Sequence, residues 1–161
     1  MSFQATHLIG FGSRRVVSGT PTLIPQGNGT LIGNMTNNGG LAAAFDGTSA
    51  QAQAAAAVSP SGEGTVGKDY GSGVTHNVTR WKVWGCTDVG FNNQPVNGAC
   101  DVFIQYSDDG SAWTQADTVN INALPGTIDR TFASVGAHRY WRVRINDGAA
   151  DGRCAEVEFY A

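Results

Sequence analysis

The chain has 161 residues, 14% of them charged, and a formal net charge of -3 at pH 7. That length fits one ordinary domain, which buries about two thirds of the surface that its unfolded chain exposes. No basic surface that would neutralise phosphates is available, which argues against DNA and RNA as partners. The apolar runs are too short for insertion into a membrane.

The first segment of the chain lacks the strand pattern that follows it. Residues 1–21 include LIGFG and GSRRVVSG and are predicted to form an attachment arm, with one domain over residues 22–161. The arm has no basic stretch ahead of an apolar block and no cleavage site, so no secretory signal is expected.

Residues 42–57 read AAAFDGTSAQAQAAAA, where helix propensity alone favours a helix. The alanines lie between two turn signals, FDG and SPSGEG. Two conformations stay open for them: one helical turn, or an irregular crossing that packs small side chains against a sheet.

The segment VTRWKVWG, residues 78–85, alternates between apolar and polar positions. Trp81 and Val83 share one face, which predicts a strand with that face buried. Trp84 lies on the other face with Arg80 and Lys82, either covered by the following loop or exposed. An exposed indole can stack on the apolar face of a sugar ring.

The same alternation recurs in DVFIQY, RYWRVRIND and CAEVEFY, separated by segments rich in Gly, Asn and Asp. It places Trp141 in the core, and the SDDG segment after DVFIQY predicts a hairpin turn over which Trp113 packs. Several short alternating strands favour an antiparallel sandwich or barrel, so the predicted fold class is all-β.

Two polar segments, residues 86–100 and 147–154, join these strands and are predicted to be surface loops at one end of the sandwich. They contain an apolar ring, amides that donate and accept, and charged groups, which is what sugar recognition requires. Solvated loop polarity is the alternative for any single residue. The predicted ligand-binding residues are Trp84, Phe91, Asn92, Asn93, Asn97, Asp147, Asp151 and Arg153.

Three cysteines, Cys86, Cys100 and Cys154, cannot all pair within one chain, and their spacing matches no zinc site. Buried reduced thiols and a Cys86–Cys100 disulfide are both compatible with the sequence. No catalytic constellation is present: the three histidines are scattered, and there is no Gly-x-Ser-x-Gly, no HExxH and no phosphate-binding loop. The chain is not expected to be an enzyme.

In order, AAAFDG, VGKDYGSGVTHNVTRWKVWG, FIQYSDDGSAWT, HRYWRVRIND and AEVEFY resemble the discoidin or coagulation-factor C-domain superfamily, also called galactose-binding-like. The resemblance covers roughly residues 22–161 and rests most on YSDDGSAWT and on RYWRVR with AEVEFY. It implies a jelly-roll β-sandwich of about eight antiparallel strands that binds a ligand, most often a sugar, without catalysis. The GKDYGSG variant is most similar to copies in bacteriophage and prophage-derived particles.

The resemblance also implies a structural calcium ion, held by the Asp of FDG, the Glu of the C-terminal AE pair and nearby oxygens. The matching residues are Asp46, Ser49 and Glu156, with Ala43, Thr48 and Gln51 as further oxygen donors. Calcium takes six to eight oxygen ligands, which a turn of this kind offers. The sequence departs from the family at Gln51 and Ala52, where Thr-x-Trp is common. A role for Asp46 as a cap of its own turn is the alternative.

Two functions follow as hypotheses. The first is a carbohydrate-binding module on a phage-like particle, such as a head or tail fibre or a gene-transfer-agent spike. It would be displayed in many copies, assembled in the host cytoplasm, and attach to bacterial surface polysaccharide. The second is a structural virion or assembly protein that uses the sandwich for contacts with other particle proteins or with copies of itself. An accessory module of a secreted glycosidase is a third hypothesis, disfavoured by the lack of a signal peptide.

Overall fold

The computed structural model describes residues 19–91, 100–121, 126–146 and 151–161. Within these ranges, eight strands have four residues or more and all pair antiparallel. The elements are β1 (Thr30–Gly33), β2 (Asn37–Asn38), α1 (Gly40–Ala43), β3 (Ala57–Val58), β4 (Gly64–Asp69), β5 (Arg80–Trp84), β6 (Cys100–Ser107), β7 (Thr114–Ile121), β8 (Thr127–Thr131), β9 (Tyr140–Asn146), β10 (Arg153–Cys154) and β11 (Glu156–Tyr160). The predicted all-β sandwich is confirmed.

The larger sheet has five strands in the order β1-β4-β9-β6-β7. Its inward positions follow the period of two: Ile104 pairs with Val143, and Val143 pairs with Val66, all fully buried. Trp141 is also fully buried, as predicted, and its indole N–H donates to the carbonyl oxygen of His76 at 3.0 Å. The central strands therefore form one wall of the core.

The second main sheet has three strands in the order β11-β5-β8. Trp81 pairs with Phe159 and Val83 with Val157, and all four side chains are buried. This is the inward face predicted for residues 78–85, although the observed strand is shorter at both ends. The outer face carries Arg80, Lys82 and Trp84, each half-buried.

The hairpin between β6 and β7 turns at Ser107–Gly110, as predicted. Asp109 Oδ1 accepts hydrogen bonds from the backbone N–H groups of Ser111 and Ala112 at 2.8 and 2.9 Å. These bonds hold the pKa of the Asp109 carboxyl well below its ordinary value. Gly110 has φ of 75°, a conformation that side chains disfavour, so glycine is required there. Trp113 packs edge-on against Tyr140 with 6.4 Å between ring centroids.

The alanine segment forms a single turn. The N–H of Ala56 donates to the carbonyl oxygens of Ala52 and Gln53, and the chain then enters β3. Strand β3 lies between β10 and β2 in a small third sheet. The sequence did not predict α1, one helical turn directly before the FDG turn.

The start of the described chain is tied to its end. Thr22 and Ala161 exchange two backbone hydrogen bonds of 2.7 and 3.0 Å, and the N–H of Ile24 donates to Phe159 at 2.9 Å. The described part of the chain therefore joins its first residues to its last strand, and the boundary between arm and domain stays a prediction. No helix among the described residues is long and apolar enough to span a membrane.

Candidate functional site

A cleft of about 280 Å³ opens beside Trp84, where β5 ends. Its walls come from three parts of the chain, and they include Ser49, Trp84, Thr87, Gly126 and Thr127. None of the described residues that line the cleft is charged. It offers one aromatic ring and the hydroxyl groups of serine and threonine.

Backbone hydrogen bonds fix the three segments around the cleft. The N–H of Thr87 donates to Gln51 at 2.9 Å, which joins the segment after β5 to the segment after FDG. The N–H of Gly85 donates to Gly126 at 2.9 Å. Asp88 Oδ1 accepts from the backbone N–H of Gln53 at 2.9 Å, a second link between the first two segments. These hydrogen bonds need no ligand, so the cleft is pre-formed.

Trp84 presents a half-buried indole to this cleft because it takes an outward position in β5. Lys82, two residues earlier on the same face, lies with its Nζ 5.7 Å from the centroid of the indole ring. Lys82 is engaged by Asp129, whose carboxylate is 3.5 Å from Nζ. Of the two alternatives for Trp84, the structure gives a partly exposed ring at the rim of a cleft.

Phe91 does not form an exposed platform, which corrects its prediction as a ligand-binding residue. Its side chain is 2% exposed and belongs to the main hydrophobic core. The segment before it turns back tightly, since Cys86 and Gly90 exchange two hydrogen bonds of 2.8 Å. The turn directs the phenyl ring inward, where its burial stabilises the fold rather than a ligand.

Arg153 is also buried, at 2% exposure, which corrects its prediction as an accessible partner for a sugar. The backbone N–H of Arg153 donates to the carbonyl oxygen of Phe91 at 3.0 Å, and Arg153 pairs with Val58 where β10 meets β3. These backbone contacts hold the residue inside the fold. Asp151 lies 3.5 Å from Nη2. In the described part of the chain, Nε and Nη1 have no hydrogen-bond partner.

Four other predicted ligand-binding residues, Asn92, Asn93, Asn97 and Asp147, lie outside the described residues. Their role stays a prediction. The structure instead places Thr87, Gly126 and Thr127 beside Trp84, and sequence reasoning missed all three. A lone threonine or glycine next to a turn has no sequence pattern that would predict a role in binding.

Asp46 and Glu156 are brought together at the FDG turn, as the resemblance implied. Glu156 Oε2 accepts hydrogen bonds from the backbone N–H groups of Gly47 and Thr48 at 3.0 and 3.2 Å. Asp46 Oδ1 accepts from the N–H of Thr48 at 2.8 Å, the predicted capping contact. Gly47 has φ of 81°, which lets two successive N–H groups point toward one carboxylate.

Glutamine amides supply the remaining contacts. Gln51 Nε2 lies 2.9 and 3.1 Å from the two carboxylate oxygens of Asp46, and Gln26 Nε2 lies 2.6 Å from Glu156 Oε1. The amine of Lys68 donates to the backbone carbonyl of Gln26 at 2.7 Å and lies 4.4 Å from the ring centroid of Phe45. We call Gln26, Asp46, Gln51, Lys68 and Glu156 the polar network of the FDG turn; Gln51, Lys68 and Glu156 are buried, Gln26 is half-buried and Asp46 is exposed.

Burial is the main cause that raises the pKa of Glu156 to about 7; the nearby carboxylate of Asp46 acts in the same direction, and the hydrogen bonds of the turn oppose both. Burial lowers the pKa of the Lys68 amine, and the charge of Glu156 opposes that effect. The network therefore holds an acid that is partly protonated near neutral pH.

The donor set does not fit the calcium ion that the resemblance implies. Calcium binds oxygen atoms, whereas N–H groups from Gln26, Gly47, Thr48 and Gln51 surround the two carboxylates. Ser49 lines the cleft beside Trp84. No group of three His, Cys, Asp or Glu side chains suited to a metal occurs among the described residues. At this turn, amide groups take the position of an ion.

Comparisons with known proteins relate the chain to carbohydrate-binding modules at the level of fold. No protein-family model matches the sequence, and a comparison with curated proteins gives no match. Among solved structures, CpGH89CBM32-5 from Clostridium perfringens, in complex with GalNAc-β-1,3-galactose, is 16% identical, with a TM-score of 0.65 over 87% of this chain and 100% of that one.

Two further structures are similar. Chitosan-binding module 1 from a chitosanase/glucanase of Paenibacillus sp. IK-5 is 22% identical, with a TM-score of 0.59 over 83% of this chain and 96% of that one. CBM62 from Clostridium thermocellum Xyl5A is 21% identical, with a TM-score of 0.60 over 83% and 94%. The chain therefore has the galactose-binding-like jelly-roll fold that these carbohydrate-binding modules share.

Proposed function

We propose that the chain is a non-catalytic carbohydrate-binding module that recognises a neutral sugar in the cleft beside Trp84. The observation that carries this proposal is the partly exposed indole at the rim of a cleft whose described lining has hydroxyl groups and no charged side chain. The fold adds support, because the similar structures are carbohydrate-binding modules, one of them in complex with a disaccharide.

Recognition would combine two kinds of contact. The indole of Trp84 stacks on the apolar C–H face of a sugar ring, while Ser49, Thr87 and Thr127 exchange hydrogen bonds with its hydroxyl groups. A cleft this open gives weak binding to one sugar. Display of several copies on one particle then raises the overall affinity without new contacts.

The biological setting belongs to the same proposal. The resemblance of GKDYGSG to copies in phage-derived particles supports a fibre or spike protein on a particle surface. Its partner is bacterial surface polysaccharide, and it assembles with other particle proteins, as a homo-oligomer or in multiple copies. Mass spectrometry of purified particles, with gold-labelled antibody on their surface, tests this setting.

The binding proposal is tested with an array of bacterial and synthetic glycans, followed by calorimetry on the glycans that bind. Trp84→Ala is expected to lower the affinity at least tenfold, which is about 1.4 kcal/mol. Trp113→Ala is the matched control, because this half-buried tryptophan lies in the β6–β7 hairpin away from the cleft. A wild type that binds no glycan, or equal losses in both variants, would overturn the proposal.

A structural role in assembly is the second candidate. It is favoured by the outer edges of β7 and β8, which pair with no other strand among the described residues. Open strand edges are surfaces on which another chain can add a strand. Failure of all glycan binding together with a concentration-dependent oligomer would favour this role.

A further inference from the structure

A second groove adjoins the cleft beside Trp84. It has a volume of about 400 Å³, and Gly126 and Thr127 line both spaces. Val119, Ile121 and Ile128 also line this groove. The two spaces therefore meet at the start of β8.

The groove exists because the two main sheets both end there. Strand β7 is the last strand of the five-stranded sheet, and β8 is the last of the three-stranded sheet. Between them the sandwich is open at its side, so Val119 and Ile121 pack against the core yet stay partly exposed. The groove thus has an apolar floor and a strand edge on each side.

An ion pair closes the gap between β7 and β8 at one level. Arg130 on β8 donates to the carboxylate of Asp117 on β7 through Nε at 2.7 Å and Nη2 at 3.0 Å. The indole N–H of Trp81 donates to the same carboxylate at 3.1 Å. Beyond this bridge, the free edge of β7 at residues 119–121 extends only about 10 Å. A typical partner strand is longer, roughly five or six residues, so the geometry disfavours an added strand.

The chemistry of the groove matches a neutral polyhydroxyl chain. Two charged side chains line the groove among the described residues, and both already form ion pairs: Asp129 with Arg80 at 2.7 Å, and Arg130 with Asp117. Backbone N–H and C=O groups along a free strand edge donate and accept, as sugar hydroxyls do. The apolar floor suits the C–H faces of sugar rings.

We propose that this groove is a second subsite, so that the protein binds an internal stretch of a neutral glycan of two or more sugars. This inference rests on the proposed function, because the first sugar occupies the cleft beside Trp84. The chain would run from Trp84 past Thr127 onto Val119 and Ile121.

The test uses calorimetry with neutral oligosaccharides of one to six sugars, built from galactose, N-acetylgalactosamine and N-acetylglucosamine and chosen by the glycan array. Affinity is expected to rise at least tenfold between one sugar and the length that spans both spaces. Val119→Trp fills the groove and should remove that increase while leaving the affinity for the shortest ligand unchanged. Val74→Trp is the matched control, since Val74 is 45% exposed and lies in the β4–β5 connection.

The outcomes separate this inference from the proposed function. Equal affinity for one sugar and for long chains, abolished by Trp84→Ala, would overturn the second subsite and leave the glycan-binding function intact. Absence of binding to every length would overturn both. Val119→Trp could instead lower the affinity for the shortest ligand as much as that for the longest, with the same melting temperature as Val74→Trp. That result would show that the groove is not a separate subsite. Dimerisation of the wild type that Val119→Trp abolishes, without any effect of chain length, would assign the groove to a second copy instead.

Discussion

The carboxylate of Glu156 accepts a hydrogen bond of 2.6 Å from the side-chain amide of Gln26, 130 positions earlier in the chain. The same amide nitrogen donates to the carbonyl oxygen of Val157 at 2.8 Å, and the backbone carbonyl of Gln26 accepts from Lys68. A neutral amide therefore separates the buried acid from the buried amine. Among the described residues, hydrogen-bond donors contact Glu156 and no cation does, and burial is the main reason that its pKa stays high.

The raised pKa of Glu156 predicts a pH dependence of stability. The ordinary pKa is 4.5 and the folded value is about 7, so the folded state binds more protons than the unfolded state between these values. The contribution of Glu156 is therefore fully present below pH 4.5 and is lost as the pH rises through 7. Glu156→Gln should remove this part of the pH dependence, measured by urea unfolding from pH 4.5 to 8.

The quantity to compare is the difference in unfolding free energy between wild type and Glu156→Gln at each pH, because the titration of His76 changes stability in the opposite direction. Burial lowers the pKa of His76, so its contribution to stability grows as the pH rises through its ordinary value of 6.5. The charges that face Glu156 are Asp46 and Glu158, which raise its pKa, and Lys68 across Gln26. Parallel pH profiles for wild type and Glu156→Gln would contradict an acid that titrates near 7.

The polar network of the FDG turn predicts that stability does not depend on calcium. A ligand that binds only the native state raises the melting temperature, so a wild type without the ion should melt alike in calcium and in chelator. Gln51→Glu replaces the amide that faces Asp46 with an oxygen ligand and a third carboxylate. This variant should melt lower in chelator and recover with calcium. A wild type that melts lower in chelator, with no such response in Asp46→Ala, would establish the calcium site after all.

The ion pair at the edge of the sandwich predicts unequal effects of its two halves. Asp117→Ala leaves the indole N–H of the fully buried Trp81 without its acceptor, which should cost about 1–3 kcal/mol. Arg130→Met keeps the bond between Trp81 and Asp117 and removes a side chain that is 44% exposed, so about 1 kcal/mol or less is expected. Urea unfolding of both variants gives the two free energies. Equal losses of unfolding free energy in the two variants would show that the ion pair, rather than the hydrogen bond from the indole, stabilises the β7–β8 edge.

The arm predicted for residues 1–21 stays a prediction with a direct test. Removal of residues 1–18 leaves the pairing of Thr22 and Ile24 with the last strand intact. The melting temperature of the shortened protein should therefore match that of the full chain, while its incorporation into particles should fail. A large drop in melting temperature would place the domain boundary earlier in the chain.

The strands could be predicted because each half-buried strand repeats its environment every two residues. The inward positions could be predicted for Trp81, Trp141 and Phe159, because each of them has a charged residue next to it in a strand that alternates between apolar and polar positions. The pairing of β11 with β5, and of β5 with β8, could not be predicted from any local pattern, because contacts between distant strands leave no periodic signal.

The site was predicted less well than the fold, for two physical reasons. Phe91 has polar neighbours in sequence, and only the tight turn from Cys86 to Gly90 shows that its ring enters the core. Arg153 lies in β10, a strand of two residues, which is too short for any alternation to be seen. Trp84 could be found because its position in β5 set it apart from the inward tryptophan of the same strand.

The three thiols of the described chain have a consequence for experiments on its motions. Cys86, Cys100 and Cys154 are all buried, and burial raises the pKa of Cys86 to about 12 and that of Cys154 well above its ordinary value. The thiolate is the nucleophile that attacks a thiol reagent, so these groups react only when a segment opens. Their labelling rates, resolved by peptide mass spectrometry, would compare the opening of β10 with that of β6 in the native protein without any introduced probe.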